Sequence, residues 1–137
     1  VELLLPQVWE ATPKSLLRIG KAGAARSHAN SLNELCKEHP VVAVKFNGRG
    51  PVEESANALC SLAHDMAADA AARPILLAVR SLRRGGSQGL FAQSGRVGEG
   101  EDGTSAFFSD FVAARKERLA EDAKYAALRA EDENEVL

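Results

Sequence analysis

Apolar positions along this chain recur with a period that changes from segment to segment, and the changes mark out its elements. In residues 24–39, Ala25, Ala29, Leu32 and Cys36 stand three or four apart with Leu35 beside them, the period of an amphipathic helix. Pro40 ends that helix, because the residue before a proline is pushed out of the helical region. Val41-Val42-Ala43-Val44-Lys45-Phe46 is rich in β-branched residues and reads as a strand, followed by an Asn47-Gly48-Arg49-Gly50 turn. Pro51 opens a second helix at the position where its missing N–H costs nothing, and Glu53 and Glu54 complement the helix dipole. Val52, Ala56, Leu59, Ala63, Met66 and Ala70 continue it as one buried stripe up to Arg73-Pro74.

Ile75–Val79 is apolar on both faces and is expected to be a central strand. Residues 80–87 read as a basic, glycine-rich loop and Leu90-Phe91-Ala92 as a short last strand. With residues 15–19 as the first strand, the order is β-α-β-α-β-β. This predicts an α/β domain over residues 14–94, a compact two-layer sandwich with two parallel crossovers and a final antiparallel pair. Residues 1–13 form an apolar lead-in, with Leu3, Leu4, Leu5, Val8 and Trp9, in which Pro6 and Pro13 prevent a long helix. Residues 95–105 read as a flexible acidic linker. Residues 106–130 read as a C-terminal helix that docks through Phe107, Phe108, Phe111 and Val112, and 131–137 as a frayed acidic end.

Charge divides along the same lines. The net charge is −2, but residues 1–96 carry 12 Lys/Arg against 8 Asp/Glu, and residues 97–137 carry 5 against 11. A basic body with an acidic extension suits a nucleic-acid partner. No apolar run reaches the roughly 20 residues that span a bilayer, so no membrane is expected as a partner. Cys36 and Cys60 lie inside the two helices without metal-ligand spacing, and read as small buried residues of a reducing compartment. Val1 stands where an initiating Met would, which leads us to expect a processed chain whose targeting peptide is gone.

The candidate chemistry starts at Arg18-Ile19-Gly20-Lys21-Ala22-Gly23. Two glycines allow a tight turn and close approach of a ligand, the following helix offers unpaired N–H groups, and Lys21 adds a charge. A GxxG loop of this kind clamps single-stranded RNA in one known module, although a plain strand-to-helix turn uses the same glycines. Arg26 is placed to flank the same phosphate. Arg80, Arg83 and Arg84 form the densest basic cluster, with phosphate contact and a solvated loop both open. Lys45, at the end of the second strand, is open to phosphate contact or a plain surface role. His28, His39 and His64 form no catalytic pattern, and neither HExxH, a Walker A loop nor zinc spacing occurs, so no enzyme, metal, cofactor or small-molecule substrate is expected.

Taken together, Ile19-Gly20-Lys21-Ala22-Gly23, the stretch Leu35-Cys36-Lys37-Glu38-His39-Pro40-Val41-Val42-Ala43-Val44-Lys45, the helix from Glu54 to Ala70 and the strands at Ile75–Val79 and Leu90-Phe91 resemble a CRM domain. This is the module of chloroplast RNA splicing and ribosome maturation proteins, with the YhbY-like family as its bacterial stand-alone form. The resemblance implies a β-α-β-α-β-β fold and RNA binding through Gly20, Lys21, Ala22 and Gly23; the charge pattern adds Arg26, Lys45, Arg80, Arg83 and Arg84 as candidate phosphate contacts. It implies a ribonucleoprotein role: an organellar large ribosomal subunit component or assembly factor bound to ribosomal RNA, in the mitochondrion ahead of the chloroplast. Neighbouring proteins would meet the C-terminal helix. An organellar intron-splicing factor and a protein-interaction scaffold that no longer binds RNA are the alternatives. The chain departs from the family in having Ala92 and Gln93 where an arginine commonly follows the last strand, and in Pro13, which interrupts the usual leading helix.

Overall fold

The computed structural model describes residues 4–12, 14–48, 51–83 and 85–135. It is an α/β structure, and the described residues form nine elements: α1 (Leu5–Ala11), β1 (Leu17–Ile19), α2 (Arg26–Glu38), β2 (Val42–Phe46), α3 (Val52–Met66), β3 (Pro74–Ser81), β4 (Ser87–Gln93), α4 (Ser94–Val97) and α5 (Gly100–Glu135). The four strands form one mixed sheet in the order β1-β2-β4-β3, in which β1 and β2 are parallel and the other pairs antiparallel. The expected β-α-β-α-β-β order runs from β1 to β4. Arg84, Arg49, Gly50 and Pro13 lie outside the described residues, as do the first three and last two positions.

β2 explains why the sheet has two cores. Side chains alternate along a strand, so Val42, Val44 and Phe46 face one side and Val41 and Ala43 the other. The first set packs with Ile19, Phe91 and the buried faces of α2 and α3, including Leu32, Cys36, Ala56 and Leu59. The second packs with Leu90, with Val8 and Trp9 of α1, and with Phe108 and Val112 of α5. Helices therefore cover both faces, and the expected two-layer sandwich is corrected to three layers. Residues 1–13 contain a short helix that belongs to the body, and the Phe end of α5 completes the second core. Leu119 and Leu128, further along α5, are about half exposed.

Four other expectations change. β3 is an edge strand and β4 lies inside the sheet. Its apolar pattern arises because Leu76 faces the α2/α3 core and Leu77 and Ala78 face the other, across a bulge between Leu76 and Ala78. Two-sided burial thus reports coverage by helices rather than a central place. α3 ends at Met66, short of Arg73, although residues 67–72 are mostly alanine. The Asp69 carboxylate accepts the Ala72 N–H (2.9 Å), Ser94 Oγ donates to the Ala70 carbonyl (2.7 Å), and the Gly95 N–H donates to the Ala71 carbonyl (2.9 Å). These contacts bend the segment back toward β3 and override its helix propensity. Residues 95–105 are mostly helical, spanning most of α4 and the first turns of α5, with Val97 buried. Helix α5 also continues to Glu135, through residues expected to fray.

The two cysteines are free and buried. Burial pushes the Cys36 thiol up to about 12, with the neighbouring Cys60 adding to the rise. Burial likewise raises Cys60 to about 11. Because the folded state holds these protons above the ordinary thiol value of 9.0, the unfolded state loses them first. The stability tied to the thiols is complete below pH 9 and declines as pH rises toward 11–12. A thiol-reactive dye at pH 8 is expected to label neither cysteine in the native protein and both in denaturant. Phe108 is fully buried where α5 meets the sheet, and Phe108→Ala should cost about 3–5 kcal/mol in a urea unfolding measurement.

Candidate functional site

The carboxyl ends of β1, β2 and β3 lie along one edge of the sheet, because two antiparallel steps through β4 leave β3 running with β2. The Gly20–Gly23 loop follows β1 at that edge, and the hairpin 82–86 follows β3. In the first, the Gly23 N–H donates to the Gly20 carbonyl (3.1 Å) and Gly23 has φ +89°, a value that favours glycine. Lys21, Ala22 and Gly23 are exposed. In the hairpin, Leu82 N–H donates to the Gly86 carbonyl (3.1 Å), and Arg83 is exposed at its tip. Gly86 has φ +79°, and a Cβ there would lie 2.9 Å from the Phe46 carbonyl oxygen, which fits the hairpin closely against β2.

Helix α2 starts two residues later than the sequence suggests, at Arg26, with Ala25 extended at the N-cap. Arg26 is therefore its first residue. Alanine has no capping oxygen, and His28 Nδ1 accepts the Ala25 N–H instead (3.0 Å). His64 Nε2 is 2.7 Å from the Pro74 carbonyl and ties α3 to β3. Helix α3 also begins at this edge of the sheet, over the opposite face, with Glu53 and Glu54 in its first turn.

The strongest concentration of charge is on the sheet face that α1 and α5 share. Register pairs Arg18 with Lys45, Lys45 with Gln88, and Gln88 with Arg80. These four residues form one cross-strand row over all four strands, on the face where Val41, Ala43 and Leu90 lie under helices nearer the other end. Beside the row is a depression of about 530 Å³ bounded also by Lys14, Ser15 and Leu82. Arg80 Nε donates to Gln88 Oε1 (2.9 Å), and Gln88 Nε2 donates to Ser15 Oγ (2.8 Å). The Arg80 Cζ sits 4.1 Å from the centroid of the Trp9 ring. Among the described residues the only ion pair is Lys37 with Glu34, so no carboxylate neutralises Lys14, Arg18, Lys45 or Arg80.

Of the residues expected to contact RNA, Gly20, Lys21, Ala22, Gly23, Arg26 and Arg83 are at the loop edge, and Lys45 and Arg80 are in the row. The expected Arg80–Arg84 loop cluster divides: β3 extends through Ser81, which puts Arg80 on the sheet and leaves Arg83 at the hairpin tip. Arg84 lies outside the described residues. Lys14 and Arg18 were missed by sequence reasoning. For Arg18 the available signal was alternation, since Leu17 and Ile19 face the α2/α3 core and their neighbour must point the other way. Arg96 was also missed as a structural residue: its Nη2 donates to the Lys37 carbonyl at the end of α2 (3.1 Å).

A second cleft of about 360 Å³ lies between His39-Pro40-Val41 and the Phe107 and Phe111 face of α5, with Arg115 and Arg118 on its lining. Among the described residues, no helix is long and apolar enough to cross a membrane. Comparisons with protein-family models, with curated proteins and with solved structures returned no match. If the row receives phosphates, binding of any polyanion should be steeply salt-dependent. Arg18→Gln should lower the slope of log affinity against log salt by about 0.7–0.9, measured from 50 to 200 mM salt.

Proposed function

We propose that this chain is a non-catalytic RNA-binding protein of a ribonucleoprotein, a component or assembly factor of an organellar large ribosomal subunit. The observation that carries the reading is the cross-strand row of Arg18, Lys45 and Arg80, which forms no ion pair with a carboxylate among the described residues and lies toward the sheet edge that holds the Gly20–Gly23 loop. Like charges gathered without counter-ions repel one another, and a bound polyanion relieves that repulsion. The exposed loop supplies Lys21 on a backbone that a ligand can approach, and Arg26 and Arg83 extend the positive edge. The row supplies cations on rigid strands.

The resemblance to CRM domains supports RNA over DNA and the ribosome over other particles. Aromatic side chains are not offered as a stacking platform here: Phe46 and Phe91 are buried in the α2/α3 core, and Trp9 is largely buried. Contacts would therefore be to the RNA backbone and its shape, with little reading of base identity. Helix α5, with its acidic outer half, would meet neighbouring proteins of the particle.

Crosslinking in cells followed by sequencing of bound RNA tests the reading, with large-subunit ribosomal RNA as the expected enrichment. Intron RNA would move the role to splicing, and background levels alone would sink RNA binding. In vitro, Lys21→Glu and Lys45→Glu should each weaken affinity for a structured RNA about tenfold at moderate salt, by similar factors across RNA sequences. Unchanged affinity in both, with thermal melting intact, would remove this surface as the interface.

A further inference from the structure

Arg80 differs from the other cations of the row in being fixed on two sides. A free arginine side chain carries about 2 kcal/mol of rotamer entropy, which a ligand must overcome to use it. Here Gln88, itself only 3% exposed, holds Nε. Gln88 is in turn held by Ser15 through its other amide atom, so it cannot turn away without losing a second bond. Trp9, 8% exposed and anchored in the α1/α5 core, has the guanidinium carbon over its ring at 4.1 Å. Among the described residues neither terminal Nη of Arg80 has a hydrogen-bond partner. The planar fork is thus oriented and vacant at the end that makes paired bonds to phosphate oxygens. Lys14, Arg18 and Lys45 border the same depression as unneutralised charges.

We propose that this depression is a phosphate-binding site in which Arg80 is the anchoring ligand and Trp9, Gln88 and Ser15 position it. The site takes one phosphate group, either from an RNA backbone or as a phosphate monoester at a chain end or free in solution. It rests on the RNA reading only for the source of the phosphate. The geometry favours phosphate over a generic polyanion, because a fixed fork matches paired tetrahedral oxygens while four loose lysines would not. It also assigns a role to a buried glutamine whose side chain, among the described residues, bonds Arg80 and Ser15.

Trp9 is the only tryptophan of the chain, and its ring is in contact with the proposed ligand's anchor, so its fluorescence reports on the site directly. The test is a titration of the full chain with inorganic phosphate at constant ionic strength, with chloride as the control. A saturable change in Trp9 emission with phosphate and not with chloride is expected. Arg80→Lys keeps the charge but loses the fork and should weaken the phosphate affinity at least tenfold with the melting temperature unchanged. No saturable change, or equal affinity in Arg80→Lys, overturns the proposal. Competition then separates the sources: displacement by a 5′-hydroxyl oligoribonucleotide supports a backbone phosphate, and displacement only by its 5′-phosphorylated form supports a terminal or free one. If RNA binding fails throughout while inorganic phosphate still binds through Arg80, the site stands and the RNA reading falls. RNA bound through Lys21 with no phosphate response at Trp9 has the opposite meaning.

Discussion

The structure depends on one strand, β2, having apolar side chains on both faces. A strand with Val42, Val44 and Phe46 on one side and Val41 and Ala43 on the other is stable only if both sides are covered. Helices α2 and α3 cover the first, and α1 and the start of α5 cover the second. Coverage on the second side stops where the strand stops being apolar. Lys45 follows Ala43 on that face, and Arg18, Gln88 and Arg80 extend the change across the sheet. Burying such a row under another helix without partners would cost several kcal/mol per charge. The boundary of the core and the boundary of the candidate site are thus the same line.

Trp9 stands on that line. Its ring belongs to the α1/α5 core and also contacts the Arg80 guanidinium. An apolar body with a cation against its face is a stable way to end a core beside charge, since the ring's π-electrons attract the guanidinium while its edges stay buried. The two parts of the surface hold their cations differently. The Gly20–Gly23 loop is exposed and presents Lys21 to solvent, which suits adaptation to an irregular backbone. Arg80 is held in place, which suits recognition of one group in one position.

Helix α5 separates the charges of the chain. Its Phe end is packed on the sheet, the part beyond Arg115 carries most of its acids, and residues 116–124 are exposed. At 1.5 Å per residue a helix of 36 residues is about 54 Å long, so its backbone runs well beyond the packed Phe end. A flexible tail of the same composition could fold back and compete for the basic row. Continuous helix from Gly100, in place of the linker expected at 95–105, does not fold back on itself.

Local periodicity was enough to determine the elements that make their own case: the amphipathic stripe of α2, the β-branched run of β2, the start of α3 directly after Pro51, the antiparallel pairing of β3 with β4, and the apolar Phe end of α5. Each of these is written in neighbours a few residues apart, where helix and strand geometry act. The sequence also identified Lys45 and Arg80 as cations of interest, and the Gly20–Gly23 turn. What it could not carry was order in space. The edge place of β3, the early end of α3 against Ser94 and Gly95, and the second helical layer all depend on contacts between segments far apart in the chain. The candidate site is of the same kind. Arg18, Lys45, Gln88 and Arg80 come from four strands, and only the register of the sheet sets them in one row. Gln88 has no local signature that marks it as the residue that orients Arg80. Side-chain period is a local property, whereas counter-charge and register are properties of the packed sheet, so the chain announces its strands but only the fold reveals which charges it has left unpaired.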